Sequence, residues 1–416
     1  MNDKERAIAR LKEELHTYGQ SRLLRHLDTM DEDAAYGIAR QLESFDMANL
    51  KLAEEYRNRT EAPARGTISP IKAMTLGEID QRRKELYEKG AEAIRAGKVG
   101  AVLLAGGQGT RLGFDKAKGM YNIGVTKDTY IFQRLIENLK DVTEPLKARV
   151  PLYIMTSDIN HADTVAFFKE HDYFGYPAED VTFYMQDMAP ATDFDGQLLM
   201  TDREHLVLSP NGNGGWYSSM KRQGLGRDLE ERGVEYLNVF AVDNVLQRIA
   251  DPVFVGATIE GDYACGAKVV GKNDPRERVG VLCYEDGHPS IVEYYELTEE
   301  MVYQREEDGT LSYNYGVILN YLFKIRDLDD IMDKKLMVHV VEKKVPYMDD
   351  RGQTIKPEVP NGYKFEILVL DMISLLPTCL PFEVDREKEF APIKNPTGVD
   401  SVESARALLK KNNIEF

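Results

Sequence analysis

Charged and apolar residues alternate at helical spacing through roughly the first sixty positions. Ile8, Leu11 and Leu15 fall on one face of a charged segment. Asp31 or Asp33 is placed to cap a helix carrying Ile38, Leu42 and Phe45. A Pro/Gly/Thr-containing connector over 60–74 follows these helices. Thr75-Leu76-Gly77-Glu78 has the form of a capping box and predicts a helix ending near Gly97. From residue 98 the pattern changes to short apolar runs. Val99–Ala105, Pro151–Thr156, Val181–Gln186 and Glu235–Val242 read as strands, with helices over Ile131–Leu139, near Ala162–His171 and over Trp216–Arg232. Residues 255–345 look richer in strands and hairpins, with Asp286-Gly287 and Asp308-Gly309 as turn signals. Tyr363–Leu376 is helical in pattern.

Alternating strands and helices predict an α/β fold built on a doubly wound sheet. In such sheets ligands sit outside the carboxyl ends of the strands. Four polar or glycine-rich segments start at predicted strand ends: 105–113, 156–158, 186–193 and 243–244. Their convergence is the strongest pointer to a site.

Composition narrows what that site can serve. The 416 residues carry 53 Lys and Arg against 70 Asp and Glu, a net charge of −17. So acidic a chain is poorly suited to nucleic acid or an anionic membrane surface, although a local basic pocket for a small phosphorylated ligand remains compatible. No apolar run approaches the ~20 residues of a membrane span, and the first twenty residues hold no signal-peptide core. Cys265, Cys283 and Cys379 form no CxxC pair, which argues against a disulfide framework or a cysteine zinc site and makes the cytoplasm the default compartment.

The chemistry concentrates in Leu104-Ala105-Gly106-Gly107-Gln108-Gly109-Thr110-Arg111-Leu112-Gly113, followed by Lys118-Gly119. Glycines allow the backbone to approach a ligand and turn its N–H groups inward as an anion nest, and Arg111 and Lys118 add charge beside it. A polyphosphate is the natural guest. The segment is neither a Walker A loop nor a dinucleotide fingerprint, because Leu112 stands where the third glycine of G-x-G-x-x-G would be.

LLAGGQGTRLG followed by KGMYNIG closely resembles the signature of the UDP-N-acetylhexosamine pyrophosphorylases, within the wider UTP:sugar-1-phosphate uridylyltransferase (UDPGP type 1) family. The resemblance continues through LYIMTSD, FFKEHDYFG, VTFYMQDMAPATDFDG, LSPNGNGG, FAVDNVLQRIADPVFVG, CGAKVV, VEYYEL, IKPEVPNGYKFE and FAPIKN, and covers essentially residues 1–400. It implies a Rossmann-like, GT-A-like nucleotide-diphospho-sugar transferase domain over 98–400, an N-terminal helical region and connector over 1–97, and a C-terminal tail over 401–416. The family's C-terminal β domain is expected to be absent. The implied reaction joins UTP and a hexosamine 1-phosphate into UDP-sugar and pyrophosphate, with Mg²⁺. GGQGTRLG and PNGNGG lean toward the N-acetylhexosamine branch, with UDP-glucose formation as the alternative.

Residue by residue, the resemblance implies that Arg111 and Lys118 are catalytic, holding the UTP phosphates and stabilising charge at the transferred phosphorus. Asp243 matches the metal-binding aspartate; a lesser alternative is a cap for a helix from Val245 onward, and both roles could coexist. Gln186 and the backbone of Gly106 and Gly107 suit the imide edge of uracil. By the same resemblance Gly212 touches uracil, Asn213 the sugar, Glu293 and Asn314 the sugar hydroxyls, and Lys394 the phosphates; Lys364 lies in a matching stretch. The family loop usually has proline before its lysine, where this chain has Ala117, and Lys116 is a rival for Lys118. An NAD-type oxidoreductase and a catalytically silent nucleotide-sugar binder are the readings from other classes. The expected partners are the two small-molecule substrates alone, with no nucleic acid or membrane.

Overall fold

The computed structural model describes residues 2–59 and 65–416. Two compact units emerge, neither continuous in sequence. One comprises the described residues up to Arg59 with Asp187–Gly215 and Leu336–Leu368; the other comprises Arg65–Gln186, Trp216–Lys335 and Val369–Phe416. Residues 97 and 400, the boundaries read from the sequence, both fall inside the second unit.

The second unit is built on a mixed ten-stranded sheet. Its main path runs Ile68–Pro70, Val281–Glu285, Tyr315–Lys324, Tyr236–Ala241, Val99–Leu104, Leu152–Thr156, Val181–Met185. The last four strands are mutually parallel. All six residues of Val99–Leu104 are buried, as expected of a central parallel strand covered on both faces. Helix Leu76–Arg95 begins at the anticipated capping box, with Thr75 and Glu78 each bonding the other's backbone amide. It crosses helix Pro252–Glu260 at very close range: a Cβ on Gly90 would collide with the Pro252 carbonyl, and one on Gly256 with the Leu86 carbonyl.

The first unit has its own core. Leu11, Leu15, Leu23, Leu27, Ile38 and Leu50 from the N-terminal helices pack with Met200, Leu206, Tyr363 and Phe365. Asp31, rather than Asp33, caps the helix Glu32–Gln41.

Several sequence readings need correction. Tyr363–Leu376 is not one helix: Gly362–Ile367 is a strand antiparallel to Val338–Lys343, and only Val369–Ile373 is helical. Inward-facing Tyr363 and Phe365 followed by a short helix had mimicked a helical period. Trp216–Arg232 is two helices, Trp216–Arg222 and Leu225–Arg232, broken at Gly224 with φ +81°. Pro252–Glu260, at the start of the stretch read as strand-rich, is a helix apolar nearly all round, so it carries no amphipathic signal. Of the connector, residues 60–64 lie outside the described residues, and Ile68–Pro70 joins the sheet edge against Val281–Glu285. Residues 401–416 are no loose tail. Ser401 caps helix Val402–Lys411, which buries Val402, Ala405 and Leu409 in the main core, and Arg406 donates to the carbonyls of Ile123 and Gly124.

Candidate active site

The parallel strands Tyr236–Ala241, Val99–Leu104, Leu152–Thr156 and Val181–Met185 open their carboxyl ends on one edge, and the chain leaves that edge through Ala105, Ser157, Gln186 and Val242. Three of these exits carry residues singled out by sequence.

The glycine loop closes on itself. Gly109 N–H donates to the Lys116 carbonyl at 2.9 Å and Lys118 N–H to the Gly107 carbonyl at 3.2 Å, pairing Gln108 with Ala117. Gly106 lies flat against the Gln186 amide, where any Cβ would strike Nε2, while a Cβ on Gly107 would meet nothing within 4 Å. The loop therefore presents one glycine to a neighbouring amide and the next to open space. Gln186 is buried and its N–H is anchored to the Thr156 carbonyl at 2.8 Å.

Lys118 reaches across the edge to Asp243, with Nζ 3.9 Å from Oδ2; their side chains are 12% and 25% exposed. Burial holds the Lys118 ammonium below the usual lysine range; Asp243 opposes this, while Arg111 and Lys394 add to it by repulsion. One half-buried ammonium thus feels both other predicted cations and the predicted metal carboxylate. Arg111 is exposed. Lys394 is anchored by Asp400, Nζ to Oδ2 at 3.0 Å. Lys116 is exposed, and its carbonyl serves to close the loop, so Lys118 is the one that faces the carboxylate. Asp243 caps no helix: the next one starts at Pro252 and is capped by Asp251.

Glu293 and Asn314 flank the start of one strand. Val281 pairs with Val292 on one side and Gly316 on the other, which sets Glu293 just beyond the first neighbour and Asn314 just before the second. Asn314 is fixed by Lys272, whose N–H donates to its carbonyl at 3.0 Å and its Oδ1 at 3.1 Å. Of the aromatic residues nearby, Tyr294 and Tyr295 are exposed and in edge contact, whereas Tyr313 is buried and donates to the Ile68 carbonyl.

Gly212 and Asn213 belong to the first unit, as does Lys364. Gly212 has φ +89°, and a Cβ there would collide with the Ile367 carbonyl, which also accepts from Gly214 N–H at 2.9 Å. The glycines of PNGNGG thus let the loop lie against the end of Gly362–Ile367. Burial pushes the Lys364 ammonium down.

Sequence reasoning passed over Asn160. It is 1% exposed; its Nδ2 donates to the Ala105 carbonyl at 3.0 Å and the Gly107 carbonyl at 3.5 Å, and its Oδ1 accepts from Ser157 N–H at 2.9 Å. It ties the glycine loop to the end of the neighbouring strand. The available signal was an amide three residues beyond Ser157, just past the 156–158 segment marked as a strand end.

Among the described residues no group of three or more His, Cys, Asp or Glu side chains is arranged to hold a metal. A single partly exposed carboxylate, Asp243, beside the glycine loop is compatible with Mg²⁺, which takes few protein ligands and completes its shell with water and other oxygens. All three cysteines are free and buried. Among the described residues no helix is long and apolar enough to cross a membrane.

The family model described as UTP–glucose-1-phosphate uridylyltransferase matches residues 47–416. UDP-N-acetylhexosamine pyrophosphorylase-like protein 1 of Mus musculus is 36% identical over 418 residues, covering 96% of this chain and 82% of its own length. UDP-N-acetylglucosamine pyrophosphorylase of Saccharomyces cerevisiae is 35% identical over 415 residues, covering 93% and 86%. Among solved structures, the uridine diphosphate N-acetylglucosamine pyrophosphorylase of Trypanosoma brucei, in complex with an inhibitor, superposes with a TM-score of 0.80 at 27% identity, over 98% of this chain and 84% of that one. The mixed α/β fold is thus shared with these structures, and with the family model spanning so much of the sequence the chain belongs to the UTP–glucose-1-phosphate uridylyltransferase family.

Proposed function

We propose that the chain is a uridylyltransferase of the Rossmann-like, GT-A-like type that joins UTP and N-acetylglucosamine 1-phosphate into UDP-N-acetylglucosamine and pyrophosphate. The observation that carries this is the Lys118–Asp243 pair at 3.9 Å, set over a glycine loop and within the field of Arg111 and Lys394. A nicotinamide cofactor would need neither this charge set nor Leu112 in place of the third glycine. The names of the relatives that match nearly the whole chain support the substrate assignment.

In this reading a sugar-phosphate oxygen attacks the α-phosphorus of UTP in line. The new P–O bond forms as the bond to the β-phosphate bridging oxygen breaks, and pyrophosphate leaves with that electron pair. The protein contributes position and charge rather than a nucleophile. Lys118 and Arg111 hold the phosphates and meet the charge developing on them, Lys118 more strongly for being half-buried. Lys394 exchanges Asp400 for a phosphate oxygen. Asp243 would hold Mg²⁺, which when bound would neutralise phosphate charge. Gln186, with the backbone of Gly106 and Gly107, reads uracil. Glu293 and Asn314 bind sugar hydroxyls, and the exposed Tyr294 and Tyr295 offer a wall for an acetamido methyl.

The test is a product assay with UTP, Mg²⁺ and one sugar 1-phosphate at a time. N-acetylglucosamine 1-phosphate is expected to exceed glucose 1-phosphate in kcat/KM, because a site built to bond a substrate group discriminates against analogues lacking it. A ratio favouring glucose 1-phosphate would move the chain to the UDP-glucose branch, the activity named by the family model. Absence of any UDP-sugar product would leave a nucleotide-sugar binder.

A further inference from the structure

The segment carrying Lys394 has no secondary structure of its own to hold it beside Asp243. Its short helix Arg386–Glu389 ends before the lysine, and helix Val402–Lys411 begins after it. What ties it to the Asp243 turn is a short run of backbone bonds, Val245 N–H to the Ala391 carbonyl among them, and one buried side chain. Asn244, directly after Asp243, is 1% exposed. Its Nδ2 donates to the Glu389 carbonyl at 2.7 Å, and its Oδ1 accepts from Ala391 N–H at 2.9 Å and from Leu246 N–H at 3.3 Å. Asn244 pairs with Pro392 as an isolated antiparallel bridge, and Ile393 N–H donates to the Asp243 carbonyl at 2.8 Å. The amide therefore sets the register between the turn that carries Asp243 and the strand-like stretch that ends in Lys394.

Both sides of this contact are anchored from behind. Gln247, with no exposed surface, donates to the carbonyls of Ala241 at 2.7 Å and Asn244 at 2.9 Å, and accepts from Asn320 at 3.2 Å. Asn320 in turn accepts from Asn238 at 2.8 Å, and Asn238 accepts from Ala250 N–H at 2.7 Å. Three buried amides, Gln247, Asn320 and Asn238, thus fix the turn to the two central strands. On the other side, Glu389 Oε2 pairs with the fully buried Lys268 at 2.5 Å and accepts from Arg248 N–H at 3.3 Å. Such a network is stiff when every member is satisfied. Lys394 is the first residue past these anchors whose side chain is free to exchange partners: it is 37% exposed, and its partner Asp400 sits on the same loop with φ +51°.

We infer that Asn244 is a positioning residue for uridylyl transfer, which acts through Lys394 by fixing the register of that lysine against Asp243. The inference rests on the phosphate-binding role read above for Lys394. A misplacement of about 1 Å in a reacting geometry can cost about a hundredfold in rate. Asn244 itself is buried, with both side-chain atoms taken up by backbone partners, so its effect passes through what it holds.

The experiment is a double-mutant cycle of Asn244→Ala and Lys394→Ala, with kcat, the KM for each substrate, and UTP affinity by calorimetry in metal-free buffer. Thermal unfolding of each variant controls for folding, and Asn244→Asp, which keeps the acceptor for Ala391 and loses the donor to Glu389, replaces Asn244→Ala if the latter does not fold. Each single change is expected to lower kcat by about tenfold or more and to weaken UTP binding. In the Lys394→Ala background the Asn244 change should cost less than about threefold, while the KM for sugar phosphate stays within about twofold throughout. Losses that multiply independently, or an Asn244 variant with unaltered kcat, would overturn the inference. Full activity of Lys394→Ala alone would instead strike at the phosphate role of Lys394, and the inference would fall with it.

Discussion

At the scale of single residues, Lys118 and Lys116 are two positions apart, yet only one faces a carboxylate. Lys118→Ala is expected to lower turnover by more than about tenfold, a barrier change of at least ~1.4 kcal/mol. Lys116→Ala should stay close to the parent, because its side chain is exposed and only its carbonyl closes the loop. Steady-state rates of the two variants decide the matter, and the reverse order would mean that the loop has been read in the wrong register. Ala117, between them, has φ −53° and ψ 131°, a proline-compatible backbone, and neither hydrogen bond of the Gln108 bridge uses its N–H. Ala117→Pro, the residue usual in the family, should therefore retain activity; loss of the loop's function would show that the buried site has no room for the ring. Asp243→Asn should fold, by circular dichroism, and lose the Mg²⁺ dependence of its rate; an unchanged metal titration would remove Asp243 from that role. These residues were legible in sequence because their chemistry is contiguous or stands at a strand end. Asn160 and Asn244 were not, because what a buried amide does depends on which carbonyl lies opposite it, and that is set by contacts 53 to 147 residues away.

At the scale of elements, the crossing of Leu76–Arg95 with Pro252–Glu260 shows a pattern that local rules invert. A glycine inside a helix ordinarily costs up to about 1 kcal/mol relative to alanine. At Gly90 and Gly256 the missing side chain is what admits the partner helix's carbonyl, so Gly90→Ala or Gly256→Ala should destabilise by about 1–3 kcal/mol through overpacking. Gly77→Ala, where a Cβ meets nothing within 4 Å, should be neutral or mildly stabilising in the same helix. Urea titration of the three variants checks the sign, and stabilisation at Gly90 would mean that the helices sit further apart. The Leu76–Arg95 helix was legible because capping box and amphipathic face agree; its partner, Pro252–Glu260, was hidden because a helix buried on every side has no polar face to set the period. The strand Gly362–Ile367 was hidden for a related reason. Six residues of period two run directly into a five-residue helix, and no turn residue separates the two patterns.

At the scale of the whole molecule, the sequence suggested a helical lead followed by a catalytic domain, and the chain instead returns to its N-terminal helices twice. Asp187–Gly215 and Leu336–Leu368 share one unit with the residues up to Arg59, and such a unit leaves no trace in local periodicity. This alters what removal of the N-terminal helices should do. Leu11, Leu15, Leu23, Leu27, Ile38, Leu42, Met47 and Leu50 supply half of a core whose other members include Leu198, Met200, Leu206, Tyr363 and Phe365. Deleting residues 1–59 would expose those last five side chains, and fully burying each is worth about 1.5–3 kcal/mol. The loop of Gly212 and Asn213 belongs to the same unit and rests against Ile367, the end of the strand carrying Tyr363 and Phe365. The truncated chain is therefore expected to bind a hydrophobic dye and to melt at lower temperature or aggregate. A point variant keeps the test open if the truncation proves insoluble: Leu15→Ala, at a position with no exposed surface, should cost about 2–5 kcal/mol by denaturant titration. A truncated protein with unchanged melting temperature would show that the helices are a dispensable appendage to the core described for this unit.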